Sequence, residues 1–112
     1  MTPDNPSSTQ QTLTLQEAID LAVQHHKSGE LSKAESIYQQ MLQADPDQPE
    51  ALHLLGVIAH QRGENERAVD LIEKALTIKP DFAEAHYNLG LIQQELGKVE
   101  EAAASYHKSI KF

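Results

Sequence analysis

Of the 112 residues, six are histidine and 17 are aspartate or glutamate, the side chains that could hold a metal or move a proton. A zinc ion needs ligands that converge on one point at about 2 Å. His53 and His60 are seven residues apart, which on a helix sets them about 10 Å apart along the axis, too far to share one ion. His25 and His26 are adjacent and diverge around a helix. His26 and His60 are 34 residues apart, on neighbouring helices whose axes run about 8–10 Å from each other. These residues predict no metal site and no cofactor. They predict no enzyme either: there is no nucleophile beside a base, no pair of carboxylates set to share a proton, and no glycine-rich phosphate loop. Glu64, Glu66, Glu100 and Glu101 read as solvated helix starts favoured by the dipole. What remains is binding, with Glu50, His53 and His60 expected to make ligand affinity vary with pH between about 5 and 8.

The elements that must position these side chains announce themselves as a period. Gly29, Gly63 and Gly97 are 34 residues apart, and so are Ala34, Ala68 and Ala102; a fixed period of that length marks a helical repeat array. Rows starting at Leu15, Pro49 and Ala83 align Leu21, Leu55 and Leu89 at the seventh place and Ala22, Gly56 and Gly90 at the eighth. Tyr38, Ile72 and Tyr106 share the twenty-fourth place, Leu42, Leu76 and Ile110 the twenty-eighth, and Pro46 and Pro80 the thirty-second. Small residues at the eighth and twentieth places let two helices approach closely while the larger apolar ones fill the space between them. The mid-row glycine ends a first helix in a left-handed conformation, and the prolines stop a second. Thr14 with Glu17 reads as a capping box, and Asp47 with Glu50 and Asp81 with Glu84 repeat its offset. The spacing predicts six helices, at about 15–28, 31–44, 48–62, 65–78, 82–96 and 99–111, and no strand.

These columns, and the segment Lys79-Pro80-Asp81-Phe82-Ala83-Glu84-Ala85-His86-Tyr87-Asn88-Leu89-Gly90 above all, resemble the tetratricopeptide repeat family, including the arrays of bacterial O-GlcNAc-transferase-like proteins. The resemblance implies an all-α, right-handed superhelical solenoid of three helical hairpins over residues 15–112, with repeats 15–48, 49–82 and a truncated 83–112; by composition, residues 1–14 before it read as a flexible tail. The resemblance further implies a concave groove for a partner protein or peptide, lined by the second, fifth, ninth and twelfth places of each first helix. Those places hold Gln16, Ile19, Val23 and His26, then Glu50, His53, Val57 and His60, then Glu84, Tyr87, Leu91 and Gln94. Val23, Val57 and Leu91 make an apolar column, and Tyr87 is the best anchor, with a large ring and a polar tip. One subgroup of the family grips a chaperone tail's carboxylate with groove lysine, arginine and asparagine. Here Ile19, Val23, Leu54 and Glu84 stand at four of its places, so that clamp is not expected. The transferase subgroup carries a ladder of sixth-place asparagines; Asp20, Leu54 and Asn88 leave one rung of three. His25, His86 and Gln93 depart from the bulky apolar pattern of the packing face and read as partly buried polar groups with hydrogen-bond partners.

The formal net charge of −8 argues against a nucleic-acid partner, which would need a cationic surface. No apolar run approaches the roughly 20 residues that span a bilayer, and the first residues lack a basic and apolar leader, so a cytoplasmic location is the default expectation. The third row stops at Phe112 with Tyr106, Ile110 and Phe112 on the helix that a next hairpin would cover. That pattern predicts either the amino-terminal piece of a longer protein or a homo-oligomer formed through the open end. The leading expectation is a non-catalytic protein-interaction scaffold. The alternatives are a substrate-recognition or regulatory part of a larger transferase and a self-assembly module.

Overall fold

The computed structural model describes residues 13–112, and over them the chain is a row of helices without a strand. In chain order they are α1 Leu15–Lys27, α2 Leu31–Ala44, α3 Pro49–Gln61, α4 Asn65–Ile78, α5 Ala83–Glu95 and α6 Val99–Lys111. Each pairs with its successor, α1 with α2, α3 with α4 and α5 with α6, and each pair stacks on the next through α2–α3 and α4–α5. The result is an all-α helical repeat. Of the expected tail over 1–14, all but Leu13 and Thr14 lies outside the described residues.

Three identical turns make the hairpins. Gly29, Gly63 and Gly97 have φ near +80°, where a side chain would crowd the following carbonyl. At each, two amide hydrogens turn back into the preceding helix: Gly29 N–H donates to the His26 carbonyl and Glu30 N–H to that of His25, a pattern repeated at 63–64 and 97–98. This doubled capping satisfies carbonyls that the helix end would otherwise strand.

Helix starts follow the sequence less closely. Thr14 and Glu17 form the expected reciprocal capping box. Asp47 and Asp81 do not cap: the N-cap residues are Gln48 and Phe82, each without a side-chain cap bond. At the first of these, Pro49, with its φ preset for the first helical turn, takes the N1 position; α5 starts at the equivalent place with Ala83. Asp45 uses its carboxylate locally instead, accepting from Asp47 N–H at 3.0 Å and from the Gln48 amide at 3.1 Å.

The core runs as two in-register clusters. Ala22, Ala34 and Tyr38 enclose Ala51, Leu55 and Ile58; one period later, Ala59, Ala68 and Ile72 enclose Phe82, Ala85, Leu89 and Ile92. The eighth-place glycines set the hairpin spacing. A Cβ on Gly56 would come within 2.8 Å of Ile72 Cγ1 and 3.2 Å of the Ala68 carbonyl oxygen, and one on Gly90 within 2.7 Å of the Tyr106 ring.

Candidate functional site

The first helices of the hairpins are tied to one another by side chains 35 residues apart, one more than the period. His26 donates from Nε2 to Gln61 Oε1. His60 Nε2 donates to the Glu95 carboxylate, at 2.9 and 3.0 Å from its two oxygens. Nearer the start of α3 the Asn88 amide donates to His53 Nε2 at 2.7 Å. The offset of 35 arises because each first helix is displaced along its neighbour, so the twelfth place of one faces the thirteenth of the next, and the fifth faces the sixth. The helix α3 also meets α5 directly, and α1 reaches α3 through the His26–Gln61 bond.

The expected groove residues divide by burial. Val23, Val57 and Leu91 are half-buried, as are His26 and His60, while Gln16, Glu50, Glu84 and Gln94 are exposed. Tyr87 is the largest open group, 51% exposed, with its ring 5.8 Å from that of Tyr106. It lines a shallow depression of about 500 Å³ with Glu84, Asn88 and Ser109. Two of the expected residues do not face solvent: Ile19 is 6% and His53 4% exposed. His53 is closed over by Phe82, whose ring meets it edge-on at 4.8 Å. Burial pushes its imidazole down to about 4, so His53 stays neutral and accepts from Asn88. The expected titration between pH 5 and 8 therefore does not extend to His53, because burial in this cluster penalises the imidazolium.

Asn88, the single sixth-place asparagine, is committed to His53 and is not a free rung for a peptide backbone. The packing-face polar groups find partners as expected. His86 Nε2 donates to the Pro80 carbonyl at 2.8 Å, Ser105 Oγ donates to Gln93 Oε1 at 2.7 Å, and His25 Nδ1 lies 2.9 Å from Glu30 Oε1. Away from the strip, Leu76, Pro80, His86, Lys108 and Phe112 border a cavity of about 370 Å³; Phe112 stacks on His86 with centroids 5.7 Å apart. The spacing of residues carried no sign of that cavity, since the counterparts of Phe112 in the other rows, Ala44 and Ile78, are not aromatic. Glu35 of α2 reaches Arg62 at 3.4 Å and Arg67 at 3.6 Å, clamping the first hairpin to the second. Among the described residues, no group of three or more His, Cys, Asp or Glu side chains could hold a metal ion, and no helix is long and apolar enough to cross a membrane.

Models of the tetratricopeptide repeat match residues 25–75 and 83–112, and a TPR repeat model matches 58–97. The fold is similar to that of MamA in two crystal structures, with TM-scores of 0.80 and 0.76 at 22% and 24% identity. Those matches cover 95% and 86% of this chain and 62% and 52% of MamA. A Thermobaculum terrenum O-GlcNAc transferase mutant is similar over 99% of this chain and 20% of its own, at 30% identity and a TM-score of 0.83. The chain thus spans less than two thirds of each of these proteins. No curated protein sequence matches it.

Proposed function

We infer, since the chain belongs to the tetratricopeptide repeat family and is in general terms a protein-interaction scaffold, that its working surface is the strip along α1, α3 and α5. There it holds an extended or helical segment of a partner protein. The observation that carries this reading is the column of Val23, Val57 and Leu91, kept half-open beside the exposed ring of Tyr87. Apolar side chains aligned across three helices and left uncovered are what a docking strip needs. Glu50 and Glu84 at its rim, on a chain of net charge −8, favour a ligand with basic residues flanking its apolar anchors. Ile19 and His53 are buried and stand outside this contact surface. The test is to select binders from a random peptide library and titrate the best against Val57→Ala/Tyr87→Ala. Loss of about 2 kcal/mol or more is expected if both side chains are anchors; unchanged affinity with intact helicity would move the site elsewhere.

The 30% identity to part of an O-GlcNAc transferase, over 99% of this chain, favours a second reading, in which these repeats select protein substrates for a larger transferase. An immunoblot of source cells with an antibody to this chain tests it: a band far above 12.4 kDa supports this reading, and one at that mass removes it.

A further inference from the structure

The cavity of about 370 Å³ is walled by α4, α5 and α6, between the second and third hairpins. Two of its lining residues, His86 and Ser105, stand where the preceding row has Leu52 and Leu71. Leu52 is buried, and Leu71 is packed against both core clusters. Ser105 is smaller than leucine, and the His86 ring is held by its bond to the Pro80 carbonyl, so space that two leucines occupy between the first hairpins is left open here. The opposite walls differ in charge. Glu73 stands on α4, and Lys108 and Lys111 stand on α6. All three are exposed, and among the described residues none has a salt-bridge partner. Leu76, Pro80, Leu89 and Phe112 supply the apolar lining. The other polar groups have already committed their protons to the protein. Ser105 Oγ donates to Gln93 Oε1, His86 Nε2 to the Pro80 carbonyl and Thr77 Oγ1 to the Glu73 carbonyl. Ser105 and His86 are each 6% exposed. What these groups keep for a ligand is lone pairs, on the hydroxyl oxygens and on Nδ1 of a neutral imidazole.

We propose that this cavity binds a small apolar zwitterion, a free α-amino acid with an aromatic or branched side chain. Its ammonium meets Glu73 and the lone pairs of Thr77 on α4, its carboxylate meets Lys108 and Lys111 on α6, and its side chain covers Leu76, Leu89 and Phe112. The volume is that of a small-molecule site and does not admit a helix, which with its side chains is about 10–12 Å across. A carboxylate alone would leave Glu73 unanswered, and an amine alone would leave both lysines so. The cavity shares no residue with the strip of Val23, Val57 and Leu91, so the two sites fail or succeed independently.

The test titrates the full chain with phenylalanine, phenylpropionate and phenethylamine and follows its amide resonances by NMR. Phenylalanine is expected to shift the amides around Ser105 and Lys108 and to bind about three- to tenfold more tightly than either analogue, each of which lacks one ion contact. Glu73→Gln, at an exposed position, is expected to weaken phenylalanine to the level of phenylpropionate without weakening phenylpropionate itself. Ser105→Leu restores the residue of the preceding row, and with its fold checked by urea unfolding it is expected to bind none of the three. Three results would overturn the proposal. They are no shift of those amides by phenylalanine, equal binding of the three compounds, or phenylalanine bound by Glu73→Gln or by folded Ser105→Leu as tightly as by the unaltered chain.

Discussion

The amide of Asn88 donates to Nε2 of His53 across 2.7 Å, joining α3 to α5 through a ring that is itself buried under Phe82. For this bond the imidazole must be neutral with its proton on Nδ1, and burial enforces that by driving its titration down to about 4. In the unfolded chain the same group titrates near its ordinary value of about 6.5. Below that pH the unfolded state takes up a proton that the folded state refuses, so the contribution is fully present above about 6.5 and is lost as pH falls toward 4. The loss amounts to roughly 3 kcal/mol at the acid limit. Urea unfolding at pH 7, 6 and 5 should show falling stability, and His53→Leu should flatten that fall over a range where most carboxylates remain ionised. Parallel slopes in the two proteins would remove His53 as the cause.

What the sequence made legible follows from what a period can encode. Helix ends are local: a glycine at φ near +80° and a proline two residues past the helix each act within one turn, so the predicted bounds of α2, α4 and α6 match those observed. Close packing is also legible, because Ala22, Gly56 and Gly90 repeat in one column. The lateral rungs are not, since an offset of 35 rather than 34 depends on how one helix slides along its neighbour. His53 illustrates the limit. Its place in the row read as open groove, but Phe82 ends that row where Gln48 ends the one before, and this one aromatic residue buries it.

The two eighth-place glycines should respond differently to alanine. At Gly56 the new methyl meets both the Ile72 side chain, which is fully buried, and the backbone at Ala68; neither can retreat, and a cost of about 1–3 kcal/mol is expected. At Gly90 all the close atoms belong to the ring of Tyr106, which is half-exposed and can swing outward. Gly90→Ala should therefore cost less than Gly56→Ala in denaturant unfolding. Gly63→Ala meets nothing within 4 Å yet should still cost about 1–2 kcal/mol through its left-handed backbone.

Tyr38 is wholly buried, and its hydroxyl has no hydrogen-bond partner among the described residues; burial also pushes its phenol up to about 12. Ile72 fills the same place in the second hairpin without a polar atom, and Tyr106 in the third keeps its hydroxyl bonded to Gln94 at 2.7 Å. Removing an unsatisfied buried hydroxyl while keeping the ring leaves packing intact. Tyr38→Phe should thus be neutral or stabilising by up to about 1 kcal/mol, whereas Tyr38→Ala should cost about 3–5 kcal/mol. A destabilised Tyr38→Phe in thermal unfolding would mean that the hydroxyl is satisfied after all.

Asn88 and Tyr87 are adjacent in sequence, and their replacement separates stability from binding. Asn88→Ala leaves the buried Nε2 of His53 without its donor, and a buried acceptor stripped of its partner costs about 1–3 kcal/mol. Because that amide already points at His53, its loss should change the affinity of a library-selected groove peptide little. Tyr87 is half in water and contributes little to the core, so Tyr87→Ala should leave unfolding nearly unchanged. The same replacement should weaken the peptide by about 1 kcal/mol or more if the ring is an anchor. Urea unfolding and peptide titration on the two variants give four numbers, and the expected pattern is crossed: stability falls with Asn88, affinity with Tyr87. Affinity lost in Asn88→Ala at unchanged stability would instead make that amide a ligand contact, with the His53 bond giving way when a peptide binds.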